Sequence, residues 1–253
     1  MKALTIARFC LLEALRTRYL WLLFGMLLML LAATFFLRAI AVTESARIQL
    51  GVFAASARIA SVFLITLHVA GTLVRQFNDK ETELLFALDL TRRDYLLGRF
   101  LGYAGVCALT AFIVTLSIAM LGPEARLVAW GGSFALELML TSAVTLFFVV
   151  SFVQIAPAVL FVASFYLLAR SVSALQLISH SPLFSEGDFA TAFGQKAMDL
   201  LALLLPRLDD FAQTEWLLGS DVTPPLGSVI LQAGTYVGLL LGASLFDLQR
   251  KEL

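Results

Sequence analysis

Residues Arg75 to Arg99 read RQFNDKETELLFALDLTRRDYLLGR, and the placement of this stretch decides the fold. It carries Arg75, Asp79, Lys80, Glu81, Glu83, Asp89, Arg92, Arg93, Asp94 and Arg99, the densest charge cluster in an otherwise apolar sequence. An apolar run long enough to cross a bilayer lies on each side of it. A charged island between two such runs must sit in water, so the chain crosses a membrane before it and again after it. Asn78 followed by Glu81, and Thr91 followed by Asp94, each have the spacing of an N-cap with an acid at the third helical position. Two helix starts are therefore expected inside the island. The first would carry Phe77, Leu84 and Leu88 along one face and lie at the membrane surface. The second leads through Tyr95, Leu96 and Leu97 into the next span.

Composition agrees with this placement. Hydrophobic residues make up 60% of the 253 residues and charged ones 14%, with a mean hydropathy of +0.91. Soluble domains average roughly 45–50% apolar and about 25% charged. The sequence therefore reads as an all-α membrane protein, with room for about six spans of roughly 20 residues each and little for a soluble domain. A formal net charge of zero argues against a nucleic-acid partner, because no basic face is concentrated enough to serve as a footprint. Cys10 and Cys107 lie far apart and read as packing residues.

Outward from the island, the expected organisation is one transmembrane domain over residues 1–253. An interfacial helix at residues 3–18 comes first, with Leu4, Ala7, Leu11 and Leu15 on one side and Thr5, Glu13 and Arg16 on another. The spans follow at 19–37, 51–74, 97–121, 131–152, 157–172 and 227–246. Gly98 and Gly102 open the third span as a small-xxx-small pair, and Gly234, Gly238 and Gly242 give the last span a double GxxxG, a pattern that predicts a closely packed helix face. Residues 173–226 turn mixed in polarity and form an extracytoplasmic segment with short interfacial or re-entrant helices. Lysines and arginines concentrate in the N-terminal segment, the charged island and the tail, which the positive-inside rule places in the cytoplasm together with both termini.

Three ionisable residues fall inside the spans, where such groups are functional candidates by default. Arg58 reads either as a side chain snorkelling to the outer interface or as part of a substrate path. His68 reads as hydrogen-bonded within the bundle or as a proton relay. Glu137 is either an interfacial carboxylate facing water or a second path residue. No H-E-x-x-H, G-x-S-x-G or Walker motif occurs, and His68 and His180 are the only histidines. Catalytic residues, a metal site and a cofactor bound by this chain are therefore not expected.

The run Glu81 to Arg99, ETELLFALDLTRRDYLLGR, resembles the first cytoplasmic loop of ABC-2 type transporter permeases. There a Glu-rich turn and a leucine pair precede a Pro-x-Ser-Arg element and a Tyr-Leu-Leu-Gly-Lys start to the third span. Asp89 stands in the place of the usual proline, Thr91 replaces serine and Arg99 replaces lysine. The run LPRLDDF, Leu205 to Phe211, followed by Trp216, Leu217 and Leu218, is similar to an element before the last span of such permeases, especially those of the multicopper-enzyme maturation type. Arg207 departs there from the usual Asn or Asp. The short charged tail LFDLQRKEL is a third point of similarity.

The resemblance implies six transmembrane helices preceded by an elbow helix in the ABC-2 (type V exporter-like) permease fold. It implies the permease subunit of an ATP-binding cassette transporter in a bacterial inner membrane, and the prominent extracytoplasmic segment favours export or extraction over import. ATP and Mg would be held by two separate cytoplasmic ATPase subunits, and a second permease copy would complete a homodimer. A periplasmic or membrane accessory protein is a further partner the resemblance allows. Residues 75–96 would be the coupling loop, with Asn78, Asp79, Lys80, Glu81, Glu83, Arg92, Arg93 and Tyr95 at the ATPase. The alternative is a membrane anchor or assembly scaffold without transport activity. A membrane-embedded hydrolase would need convergent acids, histidines or a nucleophile at matching depth, and the sequence offers none.

Overall fold

The computed structural model describes residues 2–40, 45–79, 90–122, 126–179, 189–218 and 224–250, and among them no strand occurs. The helices are α1 (Lys2–Arg16), α2 (Tyr19–Ile40), α3 (Ser45–Asn78), α4 (Arg92–Leu121), α5 (Leu127–Phe152), α6 (Ile155–Ser179), α7 (Phe189–Leu204) and α8 (Leu226–Arg250). Two short 3-10 turns, Leu208–Asp210 and Thr214–Leu217, lie between α7 and α8. Six helices, α2 to α6 and α8, are long and apolar enough to cross a membrane. The protein is thus an all-helical, integral membrane protein by length and composition. At 1.5 Å per residue the 34 residues of α3 reach about 51 Å, well beyond a hydrocarbon core of about 30 Å.

The expected cap at Thr91 is present. Its Oγ1 accepts from the Asp94 amide at 3.1 Å and donates to Asp94 Oδ2 at 2.8 Å, so an otherwise orphaned N–H of α4 is satisfied. Asn78 belongs to the last turn of α3, which continues through a bond from the Asp79 amide to the Arg75 carbonyl. The helix expected over Asp79 to Leu88 lies outside the described residues, as do Lys80, Glu81 and Glu83.

Helix α5 is the centre of the bundle, packed by α3, α4, α6 and α8. Its apolar stretch is 72% buried, against 17% for α8. Such burial is tolerable because its polar side chains serve themselves: Thr141 donates to the Glu137 carbonyl, Thr145 to that of Thr141 and Ser142 to that of Met139, leaving few hydroxyls unpaired. At its end Val153 takes the left-handed conformation, φ 53°, and closes onto Val149 O at 2.8 Å.

Helix α1 seats on α4. A Cβ on Gly98 would lie 2.8 Å from the Ala3 carbonyl oxygen, and one on Gly102 would lie 2.5 Å from Cys10 Cβ. The small-xxx-small pair thus works between the third span and the N-terminal helix, whose Cys10 and Ala14 are buried. Leu4 and Leu15, assigned from the sequence to the apolar face with Ala7 and Leu11, stay exposed. Arg99 reaches Glu13 at 3.7 Å across the same seam. The glycine face of α8 differs from expectation: no atom lies within 4 Å of a Cβ at Gly234, Gly238 or Gly242. Within the chain α8 buries Val229, Ala233, Ser244 and Leu248 instead.

Candidate functional site: a polar cluster holding an inserted segment

Residues 205–217 connect α7 to the last span, and their apolar side chains turn inward. Leu205, Leu208, Phe211, Ala212, Trp216 and Leu217 are all buried. This irregular backbone is enclosed by the bundle, where it meets Arg58 and Arg170, roughly 13 to 20 Å in from the ends of α3 and α6, and Trp130 and Ser133, roughly 5 to 9 Å in from the start of α5, at 1.5 Å per residue. Non-helical backbone at such depth needs every polar group satisfied by protein, and the surrounding side chains supply this. Arg58 Nη1 on α3 donates to the Ala212 carbonyl at 2.6 Å, and Trp130 Nε1 on α5 donates to the same oxygen at 2.9 Å. The Ala212 amide donates to Ser133 Oγ at 3.0 Å. Arg170 Nη1 on α6 donates to the carbonyls of Leu208 at 2.6 Å and Phe211 at 3.4 Å. These bonds hold Ala212 at φ 44°, a left-handed conformation that costs a non-glycine residue about 1–2 kcal/mol.

Glu137 completes the cluster. It is 0% exposed, and its Oε1 accepts from Tyr166 Oη at 2.8 Å and from Arg170 Nη1 at 3.3 Å. Arg58 lies near enough for its charge to act on the carboxylate. Glu137 Oε2 and Arg58 Nε are buried with no hydrogen-bond partner among the described residues. Two guanidinium groups thus face one carboxylate. The Tyr166 hydroxyl and the Arg170 guanidinium share the one oxygen Oε1, an arrangement that positions the carboxylate.

Of the residues singled out from sequence, Arg58 and Glu137 come together. Arg58 is 6% exposed, so it does not snorkel to an interface, and Glu137 does not face water. His68 lies elsewhere, between the rings of Tyr19, 4.6 Å away, and Tyr103, 6.5 Å away. At the opposite end of the bundle, Asn78, Asp79 and Arg93 are exposed. Arg92 donates to the carbonyl of Leu248 near the end of α8. Tyr95 is buried within the bundle, with the Arg99 guanidinium 5.6 Å from its ring centroid, and so offers no surface to a partner.

Tyr166, Arg170, Trp130 and Ser133 escaped the sequence reading. Arg170 carried a usable signal, an arginine in the apolar run of α6 with Tyr166 one turn before it on the same face. No protein-family model matches the chain, and none of the curated proteins compared with it is significantly similar.

Proposed function

We propose that this chain is the permease subunit of an ABC-2 type transporter. It would form a homodimer and move its substrate, in the export direction, with ATP hydrolysed by separate cytoplasmic ATPase subunits. The reading is carried by the charged stretch of residues 75–99, flanked by two membrane-spanning helices and similar to the coupling loop of that family. The second element of resemblance, Leu205 to Phe211 with Trp216 and Leu217, adds support. It is the stretch whose side chains pack into the bundle and whose carbonyls Arg58 and Arg170 hold, a structural task that requires a defined sequence. The exposed residues at the loop end, Asn78, Asp79 and Arg93, with Lys80, Glu81 and Glu83, form the docking surface. Arg92 would tie the start of α4 to the end of α8 behind it. Arg58 and Glu137 serve as anchors of the inserted segment, and a displacement of α3 would therefore be felt at residue 212.

The alternative, an anchor or scaffold, is separated by affinity purification of the tagged chain from its native membrane in mild detergent. A co-purifying Walker-motif ATPase whose turnover responds to the chain in liposomes is the expected result. An intact complex that contains other proteins and no ATPase would overturn the permease reading.

A further inference from the structure

We infer that Arg92, Ser151 and Asp247 form a clasp that makes the adjoining ends of α4, α5 and α8 move as one body, with α3 outside it. Arg92, the first residue of α4, donates from Nη1 to the carbonyl of Leu248 in the last turn of α8. Ser151, next to last in α5, donates from Oγ to Asp247 Oδ2 on α8 at 2.5 Å, a length typical of a hydroxyl on a carboxylate. Three helix ends far apart in sequence are thus joined through two consecutive residues of α8.

Each charge is misplaced for the helix that bears it. The first amides of a helix carry its positive pole, and its last carbonyls lack intrahelical partners and carry the negative one. Arg92 therefore opposes the dipole of α4, and Asp247, in the last turn of α8, opposes that of α8. Arg92 instead satisfies an orphan carbonyl at the C-terminal end of α8, where a cation is favoured. Local rules broken on both sides of one junction mark a feature that works between helices. Helix α3 ends differently: Arg75 and Asp79 pair with each other at 3.4 Å, one turn apart in the same helix. Its bond to α4, between Thr72 Oγ1 and Tyr103 Oη at 2.9 Å, lies about two turns further in. Because α5 holds Ala212 through Trp130 and Ser133 while α3 holds it through Arg58, a displacement of α3 against the clasped body falls on the Arg58 bond. That consequence extends the permease reading, and the clasp itself does not depend on it.

The test is amide hydrogen exchange of the full-length chain in lipid nanodiscs, read by mass spectrometry. Asp247→Ala removes a charge that opposes the α8 dipole, so a purely local role predicts slower exchange at the end of α8 and no change elsewhere. The clasp predicts otherwise: exchange about tenfold faster over residues 146–152 of α5 and 95–100 of α4, with residues 73–78 of α3 unchanged. Tenfold is the scale of losing one hydrogen bond to a charged group. Ser151→Ala gives the same pattern, and the double variant adds nothing to either single one, since both remove one contact. An effect confined to α8 overturns the proposal, as does equal loosening of α3 or an additive double variant. If Asp247→Ala does not insert, Ser151→Ala decides between the same outcomes. No ATPase enters the measurement, so a failure here is distinct from a failure of the permease reading.

Discussion

Arg58 on α3 and Ala212, 154 positions further along the chain, are joined by a buried hydrogen bond of 2.6 Å. The bond makes a span-embedded arginine the fastener of a segment that no helix of its own could hold at that depth. Arg58→Ala leaves the Ala212 carbonyl with Trp130 alone and removes a cation beside Glu137. A loss of about 1–3 kcal/mol is expected, read as a lower midpoint of unfolding in mixed detergent. An unchanged midpoint would mean that the inserted segment is held by its apolar side chains.

Val153 provides a prediction of opposite sign. A β-branched residue at φ 53° is strained, and Val153→Gly relieves about 1 kcal/mol of that strain at a site only partly buried. The midpoint of unfolding should rise. A fall would show that the side chain's packing outweighs the backbone term.

The seat of α1 on α4 predicts a change in thiol chemistry. Burial pushes the Cys10 thiol up to about 11, above an ordinary value near 8.5, so at neutral pH it reacts slowly with maleimides. Gly102→Val places a side chain where Cys10 already stands and should lift α1 away. In a Cys107→Ser background, labelling of Cys10 in this variant should level off near the ordinary thiol value, whereas in the parent it keeps climbing as pH rises toward 11. Identical pH profiles would show that α1 stays seated despite the added side chain.

The docking surface is tested by charge. Asp79→Lys combined with Arg93→Glu should reduce ATPase recovery at least about tenfold, the scale of losing interfacial charge pairs, with the chain inserting normally. Arg250→Glu, at the end of α8 with its guanidinium 4.7 Å from the Phe246 ring, should leave recovery intact. Full recovery with the double variant would remove the loop end from the proposed interface.

How much of this was readable in advance divides by the range of the interactions. Thr91 and Asp94 are three residues apart, and their cap followed from spacing alone. Six apolar runs announced six spans, since length and hydropathy are local. Gly98 and Gly102 signalled a close approach, but no pattern within the third span says that the partner is α1. The α8 glycines show the converse, a pattern of close packing on a face that the rest of the chain leaves open. Arg58, Glu137, Arg170 and Ala212 acquire meaning only from one another, across three helices and an irregular segment. A reading that takes ionisable residues singly left Arg58 between an interface and a substrate path and Glu137 between water and the same path, and missed Arg170.

The bonds from Arg58 and Arg170 to Ala212, Leu208 and Phe211 also have a consequence for biosynthesis. The chain is made from its N-terminus, so the helices bearing Arg58, Glu137 and Arg170 leave the ribosome before the carbonyls those arginines hold. At about 5–20 residues per second, the stretch from Arg170 to Ala212 takes roughly 2 to 8 s to synthesise. Through that interval Glu137 can already meet Tyr166 and Arg170, whereas both arginines wait for the carbonyls of residues 208–212, which are the last part of the cluster to arrive.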